Sequence, residues 1–192
     1  LLPALKETIK GAQNVDILLK DALKFDFNTL PPRSCFVSNL PYNVANPILR
    51  SALNSGKFKM AVVLIQSEVA DRLVAEPGTK AYGALTIFCR YFARIRKIRD
   101  VSAGCFLPKP KVQSTILRFD MHEDITADPD LFKLVQQAFR HRRKTLIGNL
   151  IKAGYKKTIL LEALQKTGTN QLSRAEELSL NEFQSLQQAL KS

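Results

Sequence analysis

The sequence predicts an α/β fold: a largely parallel sheet with helices between its strands, followed by a small all-helical unit. Three observations carry this. Short apolar, β-branched runs alternate with amphipathic stretches as far as residue 120. From Pro129 onward the apolar spacing is helical throughout. A chain of 192 residues suffices for one core and a satellite.

In chain order, Leu2, Leu5 and Ile9 share a helical face, and Gly11 is a stop. Val15 to Leu19 is apolar and β-branched and is expected to be a strand ending at Lys20-Asp21-Ala22. Ser34-Cys35-Phe36-Val37 reads as a buried strand. It runs into the turn Ser38-Asn39-Leu40-Pro41-Tyr42-Asn43 and then a helix over 45–55. Met60 to Ile65 is a continuous apolar run, the pattern of a parallel strand buried on both faces. Ser67 is a candidate N-cap for a helix over 68–75, which Pro77-Gly78 closes. An aromatic-rich helix is expected over 81–93. Strands over 94–101 and 112–119 flank the loop Phe106-Leu107-Pro108-Lys109-Pro110 and are expected to pair antiparallel.

Residues 122–129 are polar and turn-like. The expected division is therefore an α/β domain at 1–121 and a helical domain at 122–192. In the second, Leu131, Leu134, Val135 and Ala138 form one face, and Leu146, Leu150 and Ile151 the next. Two further helices are expected over 159–164 and 183–190. Ser179-Leu180-Asn181-Glu182 has the capping-box spacing before the last.

A composition of 45% hydrophobic and 24% charged residues is ordinary for a globular chain. A net charge of +12 and a pI near 9.8 point to a polyanionic partner, nucleic acid first and an anionic membrane surface second. No apolar run is long enough to span a bilayer. Cys35, Cys89 and Cys105 show no CxxC spacing, and His122 and His141 lie far apart, so no metal site is expected. Buried, reduced thiols in a cytoplasmic protein are the expectation. Leu1-Leu2-Pro3-Ala4 lacks both an initiator Met and a basic signal-peptide region. No GxGxxG turn occurs, although a doubly wound domain meets its cofactor at such a turn. The expectation is that the first strands lie upstream of Leu1.

The turn after residues 34–38 carries the most chemistry. It leaves the carboxyl end of a strand, where α/β sheets bind ligands. Asn39 offers a side-chain amide, Leu40 a carbonyl without a helical partner, Pro41 a fixed backbone and Tyr42 a ring. Together these suit a flat, amine-bearing ring such as a nucleobase. On spacing alone Asn39 is equally a plain turn residue, and Tyr42 equally a packing residue against helix 45–55.

Several segments in order resemble one family. They are Asn39-Leu40-Pro41-Tyr42, the run Leu64 to Leu73, Ala81-Tyr82-Gly83, Phe106 to Ser114, and the tail segments Arg142-Arg143-Lys144-Thr145-Leu146 and Arg174 to Ser179. Lys20-Asp21-Ala22 stands where the family usually has Gly-Asp-Ala. The chain resembles the ribosomal RNA small-subunit adenine dimethyltransferases, the KsgA family, and more distantly the Erm enzymes. The resemblance implies a Rossmann-like class I methyltransferase sheet, lacking its first strands here, and a helical C-terminal domain. It implies S-adenosylmethionine as cofactor and N6-dimethylation of two adjacent adenosines in the 3′-terminal hairpin of small-subunit rRNA. The implied catalytic residues are Asn39, Leu40, Pro41, Tyr42 and Phe106. The implied cofactor contacts are Asp21, Ala22 and Asn39. The partner implied is the immature 30S subunit, engaged by a cytoplasmic monomer. Without the glycine-rich motif, this stretch alone is expected to bind cofactor weakly.

Two basic regions suit phosphate contact. Arg90, Arg94, Arg96, Lys97, Arg99, Lys109, Lys111 and Arg118 surround the Pro-rich loop, with Asp100 as the balancing acid. No acidic residue occurs from Leu131 to Leu161, a stretch that holds Arg140, Arg142, Arg143 and Lys144. A solvated basic face explains most charge runs, and a noncatalytic nucleic-acid-binding or ribosome-assembly factor on the same fold is the competing function.

Overall fold

A computed structural model describes residues 2–191. One sheet holds β1 (Ser34–Asn39), β2 (Phe58–Gln66), β3 (Ala93–Val101) and β4 (Ser114–Met121). Across the sheet the order is β1-β2-β4-β3. β1 and β2 are parallel, with Asn39 opposite Leu64. β4 runs antiparallel to both β2 and β3, as the sequence predicts for the last two strands. The parallel pair needs a crossover, and α2 (Ala45–Asn54) supplies it. α3 (Ser67–Val74) and α4 (Ala84–Phe92) connect β2 to β3.

Burial alternates along the parallel pair. Ala61, Val63 and Ile65 are buried, while Met60, Val62 and Leu64 are half-buried and Val37 is exposed. The continuous apolar run thus serves one covered face, not the two expected. The reason is that helix packing buries only one side of β2 among the described residues. Leu49, Ile65, Leu73, Ile87, Leu117 and Phe119 fill that side. Burying side chains of this size contributes roughly 1.5–3 kcal/mol each.

The expected strand over 15–19 does not form. That segment is irregular, with Val15, Leu18 and Leu19 exposed. A strand needs a neighbour to accept its backbone hydrogen bonds, and no described strand pairs with it. The N-terminal helix α1 (Leu2–Thr8) forms but buries no residue. Ser67 opens α3 without capping it. Its hydroxyl lies 2.9 Å from Thr115 Oγ1 instead. The cysteines also depart from expectation. Cys89 is buried, and burial pushes its thiol up to about 12. Cys35 and Cys105 are exposed, one on the open side of β1 and one in a short 3-10 turn.

The helical part holds α5 (Pro129–Ala138), α6 (Leu146–Lys152), α7 (Lys157–Lys166) and α8 (Leu180–Lys191). Asp128 caps α5, accepting from Leu131 N at 2.9 Å, and both its oxygens accept from Gln187 Nε2 at 3.0 Å. The capping box before α8 forms: Ser179 N donates to Glu182 Oε2 at 2.7 Å, and Glu182 N to Ser179 Oγ at 3.3 Å. Leu131, Leu134, Leu150, Leu160 and Phe183 are fully buried and continue the core begun on the sheet.

Candidate active site

The Asn39–Tyr42 turn leaves β1 at the sheet's carboxyl edge and leads into α2. Leu40 N donates to Leu64 O at 3.2 Å, extending the parallel ladder by one bond. Val44 N donates to Pro41 O at 3.1 Å and closes the bend. Leu40's side chain is buried, which anchors the turn while its neighbours face outward. Asn39 is exposed. Among the described residues, neither the Asn39 amide nor the Leu40 carbonyl makes a hydrogen bond. Two acceptors one residue apart are thus left unspent.

A pocket of about 310 Å³ lies between this turn and the Pro-rich loop. Asn39, Leu40, Pro41 and Tyr42 line one side, and Phe106, Leu107, Pro108 and Pro110 the other. Phe106 is half-buried there instead of joining the core. The Tyr42 hydroxyl lies 2.6 Å from Ser114 Oγ.

A second pocket, of about 240 Å³, lies on the other side of Leu40 and Pro41. Leu18, Ala22, Phe25, Phe27, Phe36 and Ile48 give it apolar walls, with Lys20 and Ser38 at its polar points. Such a slot suits a flat heteroaromatic ring. Asp21, just before Ala22, uses one carboxylate oxygen to cap a 3-10 turn, accepting from Leu23 N at 3.0 Å. Its other oxygen has no partner among the described residues. Asn39 lines the first pocket and Ala22 the second, with Leu40 and Pro41 shared between them.

The basic residues divide into paired and unpaired sets. Arg90 pairs with Glu76, Arg96 and Arg118 with Asp120, and Lys97 with Asp100 and Asp71. Glu76, Asp71 and Asp120 therefore join Asp100 as balancing acids, because strand pairing and helix packing bring them alongside. Arg94, Arg99, Lys109 and Lys111 are exposed with no ion pair among the described residues. Arg142 donates to the Lys80 carbonyl and lies 3.8 Å from Glu176. Arg140, Arg143 and Lys144 are exposed, with no acid beside them among the described residues.

One residue the sequence reading missed shapes that second cluster. Asn149 is buried on α6. Its Nδ2 donates to Ala138 O at 2.7 Å and His141 O at 3.1 Å, and its Oδ1 accepts from His141 N at 3.2 Å. An Asn within an apolar helical stretch was the available signal. Among the described residues no group of His, Cys, Asp and Glu could hold a metal ion, and no helix is long and apolar enough to cross a membrane.

Two pockets parted by one turn place the protein among the α/β proteins whose ligand sites lie at the carboxyl edge of the sheet. The model of the ribosomal RNA adenine dimethylase family matches residues 1–192. The chain is 37% identical over 191 residues to the ribosomal RNA small subunit methyltransferase A of Clostridium botulinum (strain Loch Maree), covering 95% of this chain and 70% of the relative. It is 39% identical over 199 residues to the protein of the same name from Syntrophus aciditrophicus, covering 97% and 71%. Among solved structures, a dimethyladenosine transferase from Plasmodium falciparum superposes with a TM-score of 0.80 at 25% identity, over 95% of this chain and 74% of that one. The 23S rRNA methyltransferase ErmE shares the fold, with a TM-score of 0.71 over 99% of this chain and 78% of its own. The chain belongs to the ribosomal RNA adenine dimethylase family. Its sheet is of the class I methyltransferase type, and the family is one of S-adenosylmethionine-dependent rRNA methyltransferases.

Proposed function

We propose that the protein dimethylates N6 of two adjacent adenosines in the 3′-terminal hairpin of small-subunit rRNA. The observation that carries this reading is the open pocket between Asn39–Tyr42 and Phe106, with its two unspent acceptors. The target adenine leaves its stack and enters that pocket. Tyr42 and Phe106 hold its faces, at about 1–3 kcal/mol per stacked base.

The chemical difficulty lies in N6, whose lone pair is delocalised into the ring. Asn39 Oδ1 and the Leu40 carbonyl accept hydrogen bonds from the amine and hold the nitrogen pyramidal, with its lone pair directed out of the ring plane. Bound S-adenosylmethionine supplies an electrophilic methyl group. The apolar slot beside Ala22 fits the cofactor's adenine, and the unpaired oxygen of Asp21 suits its amino group. Pro41 fixes the partition between the two sites. Positioning and preorganised acceptors do the work, and no strong base is required. The proton lost from N6 has a route to solvent through the open pocket.

In this reading residues 1–121 form the catalytic domain and residues 122–192 the helical RNA-binding domain. Lys109, Lys111, Arg140, Arg143 and Lys144 contact phosphates and position the RNA, while its shape supplies much of the specificity. Arg142, on the same loop, fixes the cluster to the α/β part. The partner is the immature 30S subunit, and the protein works as a cytoplasmic monomer. The test is methylation of immature small subunits by the full-length protein, read as dimethyladenosine by mass spectrometry. Asn39→Ala is expected to lower turnover about 10²–10³-fold, the size of effect seen when an aligned polar group is removed. Retained dimethylation in that variant would exclude the assignment.

A further inference from the structure

Ser114 is the last residue of the Phe106–Ser114 segment, and the mechanism above leaves it without a task. It is fully buried at the start of β4, opposite Gln66 of β2 and Val101 of β3. A serine is a poor strand residue and contributes little to a core, so its burial there calls for a hydrogen-bond partner. That partner is the Tyr42 hydroxyl, 2.6 Å away and 72 residues distant in sequence.

The contact joins the two walls of the pocket. Tyr42 belongs to the turn that leaves β1, and Ser114 ends the loop that carries Phe106. The loop's other attachments lie close by. Ser67 N donates to Gln113 O at 3.0 Å, and Thr115 Oγ1 donates to Asp100 Oδ1 at 2.7 Å. The carboxyl end of the loop is thus held by the first residue of α3 and by the end of β3, and the Tyr42–Ser114 bond ties the turn to the same frame. A tyrosine whose hydroxyl is fixed keeps its ring at one tilt. An untethered half-exposed ring swings about its first side-chain torsion.

We infer that Ser114 is a positioning residue: through its hydrogen bond it sets the angle of the Tyr42 ring and so the spacing of the two walls that clamp the target adenine. The inference rests on the adenine-pocket reading. Misplacement of a clamping group costs turnover more than affinity, because phosphate contacts elsewhere supply most RNA binding.

The experiment compares Ser114→Ala, Tyr42→Phe and the double variant in the full-length protein, with kcat and KM measured on immature small subunits. Each single change removes the same hydrogen bond. Each is expected to lower kcat about tenfold while raising KM less than about threefold. The double variant is expected to be no slower than either single one, because the shared bond is lost once. Additive losses would overturn the inference, as would wild-type kcat in Ser114→Ala. So would a kcat deficit fully accounted for by a smaller folded fraction in thermal unfolding. Asn39→Ala separates the two readings. Full activity in Asn39→Ala removes the adenine pocket and this inference with it. Its loss alongside unaltered Ser114→Ala turnover removes only the inference.

Discussion

The phenol of Tyr82 donates a 2.9 Å hydrogen bond to the carbonyl of Leu178, 96 residues further along the chain. Tyr82 precedes α4 on the α/β side, and Leu178 precedes α8 on the helical side. Gly78 N donates to Glu176 O at 2.7 Å beside it. Burial pushes the Tyr82 hydroxyl up to about 12, so it stays protonated and able to donate at any working pH. Tyr82→Phe leaves the Leu178 carbonyl unpaired in a buried place. The expected cost is about 1–3 kcal/mol, read by urea unfolding. An unchanged midpoint would show that the contact does not hold the two parts together.

Phe106 faces the pocket instead of the core, so its removal should affect substrate more than stability. Phe106→Ala is expected to cost about 1–3 kcal/mol of substrate interaction, the worth of one base–aromatic stack. Phe106→Tyr should retain most of it. Methylation kinetics on immature subunits decide this, with the melting temperature as control. A large fall in melting temperature for Phe106→Ala would return the residue to the core.

The basic loop offers a contrast between neighbours. Arg143 and Lys144 have no acid beside them among the described residues, whereas Arg142 is engaged by Lys80 O and Glu176. Replacing Arg143 and Lys144 with Ala should lower the slope of log affinity against log salt by about 0.7–0.9 per lost phosphate contact. Arg142→Ala should instead loosen the join between the two parts. Asn149→Leu should weaken RNA binding without touching a charge, because three backbone groups of the 138–141 turn lose their partner. Filter binding across a salt series would show it; equal slopes in all variants would place the RNA elsewhere.

Asp128 gives the fold an acid-sensitive joint. Burial raises its carboxyl, but the Leu131 N–H, the Gln187 amide and the charge of Lys191 outweigh that and hold it below the ordinary 3.8. A folded value below the unfolded one means that the carboxylate form stabilises the fold. This contribution is present above about pH 4, the unfolded value, and is lost as pH falls through the folded one. Asp128→Ala should cost about 1 kcal/mol at neutral pH, the usual worth of an N-cap. The gap to wild type should narrow as pH falls below the ordinary carboxylate value and through the lowered folded one. A gap independent of pH would show that the cap's charge is irrelevant.

From Ser34 onward the residue pattern was enough for the order of elements, the antiparallel closing pair, the capping box at Ser179 and the turn at Asn39. These are local: periodicity, capping spacing and turn chemistry act within about a dozen residues. The Asn39–Tyr42 and Phe106–Pro110 segments were legible as motifs for the same reason. That they face each other across one pocket was not, since 64 positions separate Tyr42 from Phe106 and only the strand order β1-β2-β4 brings them together. Val15 to Leu19 has strand composition but no partner, and a strand is a property of a pair. The charge count could not say which cations are free, because Asp120 meets Arg96 and Arg118 only through the register of β3 on β4. Sequence thus settled what each stretch prefers to be and which side chains it offers. The tertiary structure decided which of those side chains meet, because long-range contacts depend on packing geometry that no local preference encodes.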